Sequence, residues 1–460
     1  MRLKQLALAT AIGISATGLH AQTSDQETIK ALIKRIEELE QKVKIADRKY
    51  ELDKEDAAAK AKTTPTVSIG GSGISVTSAD KAFSLKLKGL VQVDSRNFID
   101  SGSGGVANTD DTFLLRRARL GVDGTFYQDF DLQFLTEFGG TGATSVLDAN
   151  INYRYKPELQ LKFGKFKQPL GLEQLQSDPV RFFSENALPT NLVPNRDLGV
   201  QLHGEIKGGF LQYQFGVFNG LGDGRNNTNA DLEDDKDLVG RIFFHPFQLG
   251  GPEILQGLGL GISASYGSRQ NAGGLTAGYL TDGQRTFYTY AAAAVPNGDA
   301  FRWSPQAYYY YGPFGFLAEY VNSSQRVTLP GVRTDVLDNN AWSITGSYVL
   351  TGENATFKGV TPAKDFSLVN GGWGALQLVA RFGQLDVDND AFNLGYASPN
   401  ASASQAVAWG VGLNWYLNRN VRASLSYSRT SFDVNPTAAI TNPVIAQDEN
   451  FISTRVQLSF

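Results

Sequence analysis

No cysteine occurs among the 460 residues, and the one methionine is the first residue. Disulfide frameworks, thiolate metal sites and cysteine nucleophiles are therefore excluded. Histidine is nearly absent as well. Only His203 and His245 lie beyond the first 21 residues, and no neighbouring serine or acidic motif singles out either as half of a Ser–His pair. Neither an enzyme nor a cofactor is expected. Past residue 21 there is no run of 18 or more apolar residues, so no transmembrane helix is available.

The first 21 residues, MRLKQLALATAIGISATGLHA, carry Arg2 and Lys4, an apolar stretch at Leu6–Ile14 and small residues ending at Ala21. This is the layout of a secretory signal peptide, with the mature chain beginning at Gln22. Its removal takes two of the 42 basic residues and none of the 46 acidic ones, leaving 40 against 46 and a net charge near −6. That balance lacks the basic footprint of a nucleic-acid binder. Export without a helical anchor leaves a soluble secreted protein or an outer-membrane β-barrel.

Residues 22–56 read as a helix. Ile29, Ile36, Val43 and Tyr50 fall seven apart, with Leu32, Leu39 and Ala46 interleaved, which forms the a/d seam of a short α-helical coiled coil. A solitary amphipathic helix is the alternative. The following stretch, AAAKAKTTPT (57–66), reads as a linker closed to helix by Pro65.

From Val67 to Phe460 the dominant period is two. Phe83, Leu85, Leu87, Gly89, Val91 and Val93 alternate with Ser84, Lys86, Lys88, Leu90, Gln92 and Asp94. The pattern recurs at Phe130–Phe138, at Asp148–Tyr155 and across the hairpin Val407–Ser428. Successive side chains of a strand face opposite sides, so one side is apolar and the other wet. The apolar faces fit strands of about 10 residues, aromatics gather near strand ends, and the chain finishes on Phe460, a combination that favours a membrane barrel over a soluble sandwich. The fold class expected is all-β transmembrane: an antiparallel outer-membrane β-barrel of about 16 strands over residues 67–460, preceded by the helix. At that size the interior is expected to hold a water-filled channel.

The stretch FLLRRARLGVDG (113–124) places three arginines in such a strand. Ala118, Leu120, Val122, Gly124 and Phe126 form the lipid phase, and Arg117, Arg119 and Asp123 the lumenal one. By parity Arg116 faces lipid, at a cost of about 2–4 kcal/mol near the bilayer midplane, unless a bend redirects it. Guanidiniums lining a narrow aqueous passage concentrate anions. Alternatively they pair with inward carboxylates such as Asp94, Asp123, Asp131, Glu137 and Asp148 and simply brace the wall.

RRARLGVDGTFYQDFDLQF, LQLKFGKFKQPLGLEQ, YVLTGE (348–353) and GVGLNWYLNRNVRASLSYSRT, with the terminal Phe, resemble the phosphate-selective porin O and P family from about Asp80 to Phe460. The resemblance implies a homotrimer of 16-stranded channels in outer-membrane lipid, passing small anions or other hydrophilic solutes. It places constriction arginines at Arg116 and Arg117, a pore aspartate at Asp148 and pore-mouth lysines at Lys81, Lys86 and Lys162. The family's inward-folding loop falls on 174–197, which adds Arg181 and Arg196. Arg119 and Lys167 stand where phosphate-selective members have tyrosines, and Lys167 joins the basic residues expected at the pore mouth. Ile69, Gly71, Leu90, Asp131, Gln174 and Asn186 stand where those members carry further basic residues, so part of the basic funnel is missing.

DLEDDKD (231–237) and Asp386, Asp388 and Asp390 offer oxygen ligands for calcium, but without the glycine of an EF-hand loop solvated acidic loops are the simpler reading. Tyr308–Tyr311 read as an aromatic girdle. Together these features point to an anion-preferring porin with its helix in the periplasm. The alternative is a structural anchor whose coiled coil reaches the cell wall or a partner.

Overall fold

The computed structural model describes residues 22–61, 63–71, 73–99, 111–140, 142, 144–229, 234–270, 275–276 and 278–460. The expected leader, 1–21, and residues 231–233 of the acidic stretch lie outside them. The chain forms two units divided after Pro65.

The first unit is helix α1 (Gln22–Ala61). It runs further than expected, through part of the presumed linker, because Ala57–Ala59 are the best of helix formers and the first obstacle to helix is Pro65. Ile29, Leu32, Ile36, Leu39, Val43 and Tyr50 are each more than half exposed, so the heptad seam is a bare apolar stripe.

The second unit opens with a hairpin, β1 (Thr66–Gly70) and β2 (Gly73–Thr77), whose second strand pairs with β3 (Phe83–Phe98). The barrel wall continues through β4 (Thr112–Phe126), β5 (Phe130–Glu137), β6 (Ser145–Lys156), β7 (Leu159–Lys167), β8 (Arg196–Ile206), β9 (Leu211–Phe218), β10 (Asp237–Phe244) and β11 (Leu258–Gln270). After a small separate hairpin, β12 (Tyr279–Leu280) and β13 (Thr286–Tyr288), it resumes with β14 (Val295–Tyr311), β15 (Phe314–Leu329), β16 (Arg333–Val349), β17 (Ala375–Asp386), β18 (Gln405–Tyr416), β19 (Val421–Asp433) and β20 (Glu449–Ser459). Each wall strand pairs antiparallel with the wall strand before it, and β20 pairs with β3. The result is a closed barrel of sixteen strands.

Closure leaves no free strand edge in the lipid, where an unpaired backbone group has no water to bond. Phe460 completes the seam: its backbone N–H and C=O exchange bonds of 3.1 and 3.0 Å with Gly89. Its ring lies where a Cβ on Gly89 would stand, so a larger residue there would have to displace the ring.

The alternation sorts as expected. Leu85, Val91, Val93, Val411, Leu425 and Val456 are exposed on the outside, while Gln92, Asp94, Arg302 and Arg455 are buried within. Outward aromatic pairs cluster towards two levels, Phe83–Phe126, Phe130–Tyr153 and Phe314–Tyr348 at one and Trp303–Tyr320, Trp342–Phe382 and Trp409–Tyr427 at the other. These are the two interfacial girdles that flank an apolar band. The tyrosine run splits by the same rule: Tyr308 and Tyr310 join interior clusters, whereas Tyr311 is exposed.

The interior is fuller than barrel size alone suggests. The connection carrying β12 and β13 packs Tyr279, Phe287 and Tyr288, all fully buried, into a core with Val321, Val327, Leu337, Ala341 and Leu385 from the wall and Leu188, Leu192 and Val193 from the loop between β7 and β8. From the opposite end Phe357, in the connection between β16 and β17, packs against a cluster containing Phe182 and Phe183 of that loop.

Candidate pore constriction

The β7–β8 loop, residues 168–195, folds into the lumen with little regular structure: one helical turn, α2 (Leu172–Leu175), and two 3-10 turns at Asp178–Val180 and Leu188–Leu192. An irregular buried segment must find partners for its carbonyls, and here the wall supplies them. Ser263 Oγ donates to Leu170 at 2.6 Å, Gln457 Nε2 to Pro179 at 2.9 Å, Arg422 to Arg181 at 2.8 Å, Asn414 to Phe182 at 2.9 Å, Arg455 to Ser184 at 2.6 Å and Arg381 to Glu185 at 3.1 Å. These wall residues come from five strands.

The loop's own carboxylates meet the arginines of β4. A β-bulge sits where Gln92 pairs with Arg117 and Val93 with Leu115, so Arg116 is the extra residue. The bulge cancels the parity conflict and turns both Arg116 and Arg117 to the lumen. Arg116 then grips Glu185 with two bonds, Nε to Oε1 at 2.6 Å and Nη2 to Oε2 at 2.9 Å. Arg96 and Arg455 reach the same carboxylate at 2.8 and 3.3 Å. Asp178 is shared by Arg117 at 3.4 Å, Arg181 at 2.7 Å and Arg119, which also holds Glu137 at 2.6 Å.

Burial pushes the Glu185 and Asp178 carboxyls up, but the surrounding guanidiniums, Arg116 for the first and Arg181 for the second, more than offset it. Both therefore titrate below the ordinary carboxylate range and stay ionised.

Two lumenal cavities of about 370 Å³ adjoin this cluster. One is lined by Lys88, Arg119, Lys162, Lys167 and Arg196 against Asp148 and Asp178. The other has Arg116, Arg117, Arg119, Arg181, Arg196 and Arg225 against Asp178, Glu185 and Asp223. Arg119, Asp178 and Arg196 line both cavities and mark their boundary.

The other expected residues sort unevenly. Asp148 receives Arg196 at 3.0 and 3.2 Å. Lys86 and Lys162 line a further lumenal recess. Lys81 sits on the exposed turn before β3. Lys167, expected at the pore mouth, instead lies against the constriction loop, its ammonium donating to the carbonyls of Gln174 and Gln176 at 2.6 and 2.7 Å. All five inward carboxylates named from the sequence are paired: Asp94 with Arg455, Asp123 with Lys88, Asp131 with Arg154, Glu137 with Arg119 and Asp148 with Arg196. Arg96, Arg381 and Arg455 were not singled out, although the parity that places Asp94, Gln377 and Gln457 inside places them there too. Asp178 and Glu185 carry no periodic signal.

A closed barrel of this size, apolar outside and charged within, narrowed by an inward loop, defines an outer-membrane porin. Residues 85–460 match the family described as phosphate-selective porin O and P, and the chain belongs to it. Porin O of Pseudomonas aeruginosa is 26% identical over 415 residues, which is 84% of this chain and 91% of that protein. Two solved structures share the fold. The outer membrane channel DcaP of Acinetobacter baumannii has a TM-score of 0.53 at 12% identity over 82% of this chain and 98% of its own. OmpT of Vibrio cholerae, in a trimer form, has 0.52 at 14% identity over 82% and 100%.

Proposed function

We propose that this porin is a passive diffusion channel for small hydrophilic solutes that prefers anions, phosphate-like ones among them. The observation that carries the reading is the excess of basic over acidic side chains lining each lumenal cavity, five to two in one and six to three in the other. Low-dielectric walls focus such a field and raise the local anion concentration. The membership in a family described by phosphate selectivity supports the same direction, and the absent basic positions of the funnel argue for a weaker preference.

The test is the reversal potential of the purified protein in a planar bilayer under a KCl gradient. The expected sign is anion-favouring. Replacing Arg116, Arg117 and Arg119 together by alanine removes three cations and leaves Glu185, Asp178 and Glu137 less compensated, so the potential is expected to move towards cation preference. A cation-favouring potential in the unaltered protein would overturn the reading, and a channel that never conducts would favour the structural anchor.

We further propose a homotrimer whose N-terminal helices join in the periplasm along the bare stripe of Ile29, Leu32, Ile36, Leu39 and Val43. Burial of these side chains against copies of themselves removes apolar area worth about 25 cal/mol per Å² from water. Ile36→Asp with Leu39→Asp is expected to reduce chemically crosslinked trimer of the full chain while leaving single-channel conductance intact. Unchanged crosslinking would exclude the helix from assembly, and contact with the cell wall would remain as its role.

A further inference from the structure

Ion pairing divides the lumenal arginines into two kinds. Of the six that line the cavity above the boundary, Arg116, Arg117, Arg119, Arg181 and Arg196 each meet a carboxylate within 4 Å. Arg225 meets none among the described residues, and its Nε is buried without a hydrogen-bond partner. A paired guanidinium has little field left to offer, whereas an unpaired one next to water-filled space keeps its whole charge.

The backbone around Arg225 is not loose. Gly224 N–H donates to Val193 C=O at 3.1 Å, Asn195 N–H to Arg225 C=O at 2.9 Å and Asn227 N–H to Arg196 C=O at 2.8 Å. This short ladder ties the β9–β10 connection to the end of the constriction loop. The neighbouring lining is neutral and polar, with Asn195, Asn226 and Gln284 on the same cavity. An unpaired guanidinium on a tethered backbone, with free donors among amides, is the chemistry that recognises a small oxyanion.

We propose that Arg225 is the docking residue for small oxyanions entering the constriction from the side of the long loops, and that it determines anion preference more than the bulge arginines do. The proposal rests on the anion-preferring reading of the channel. An ion on this residue stands next to the boundary formed by Arg119, Asp178 and Arg196, where the charges are largely internally balanced. Arg225 thus recruits and the boundary merely admits.

The absence of cysteine supplies the experiment. Arg225→Cys gives a single thiol, and reaction with a cationic or an anionic methanethiosulfonate reagent sets the charge at that position to +1 or −1 without refolding. An uncompensated unit charge about 4 Å from the path changes local anion concentration by about fivefold even at the dielectric constant of water. The anion-to-cation permeability ratio in KCl is expected to fall by about that factor in Arg225→Cys, to recover with the cationic reagent and to fall further with the anionic one. Chloride current through the unaltered protein is expected to be inhibited by added inorganic phosphate, and the inhibition to weaken in Arg225→Ala. Melting is expected to be unchanged, because no partner is lost. Equal permeability ratios in all three charge states would overturn the proposal while leaving the anion preference standing. Cation preference in the unaltered protein would instead remove the reading beneath it. If Arg225→Cys does not insert, Arg225→Lys and Arg225→Gln make the same comparison, with selectivity retained in the first and lost in the second.

Discussion

Asp94→Ala is expected to destabilise the barrel by about 3–5 kcal/mol, the cost of breaking a buried ion pair from one side. Asp94 on β3 and Arg455 on β20 stand directly opposite one another in the register of the closing seam. Arg455 Nε and Nη2 reach the two carboxylate oxygens at 2.6 and 2.7 Å, and neither side chain is more than 1% exposed. Without the carboxylate, Arg455 keeps only its bonds to the constriction loop. The measurement is the temperature at which the folded band disappears in gel electrophoresis of the purified protein, expected to fall markedly. Replacing both partners with apolar residues, Asp94→Leu with Arg455→Met, is expected to restore much of the loss, since no charge is then stranded. A melting temperature unaltered in the single variant would show that the seam does not depend on this pair.

Glu319→Ala is expected to raise open-channel noise severalfold and to raise mean conductance while the barrel stays folded. Glu319 projects from β15 and accepts the backbone N–H groups of Leu172 and Glu173 at 2.6 and 3.2 Å, fixing the start of α2. Glu173 in turn accepts the N–H of Ala187 at 3.0 Å, so one wall carboxylate organises both limbs of the loop. Its removal leaves two buried donors unpaired, at about 1–3 kcal/mol each. That loss loosens the loop without opening the sheet. Glu319→Gln keeps one acceptor oxygen and is expected to fall between. Noise identical to that of the unaltered channel would mean that the loop is held elsewhere.

Period-two patterning made the barrel legible, because a membrane strand has one lipid face and the bilayer tolerates no exception near its middle. It sorted Asp94, Arg117 and Arg119 to the lumenal side, where the structure has them. Arg116 shows where the rule bends: an inserted residue shifts parity by one, and its apparent cost on the lipid face was the signal that a bulge had to be there. The constriction was legible only on the wall. Lys167 faces inward as parity requires, yet parity does not distinguish a lysine facing water from one binding carbonyls. Glu185 and Asp178 lie on an aperiodic loop whose partners are set by closure of the barrel, with Arg455 following Glu185 by 270 positions. No local pattern encodes such a meeting.

The donors that pin the constriction loop have a consequence for the order of assembly. Arg381, Asn414, Arg422 and Arg455 belong to β17, β18, β19 and β20, the last four strands of the chain. The loop leaves the wall eight wall strands before β17, yet most partners of its carbonyls do not exist until the final hairpins are laid down. A chain arrested before β17 would keep the anchors Ser263 on β11 and Glu319 on β15 and lack those that hold the carbonyls of Arg181, Phe182, Ser184 and Glu185. These four carbonyls, on the loop that narrows the passage, are thus held by strands that also finish the wall.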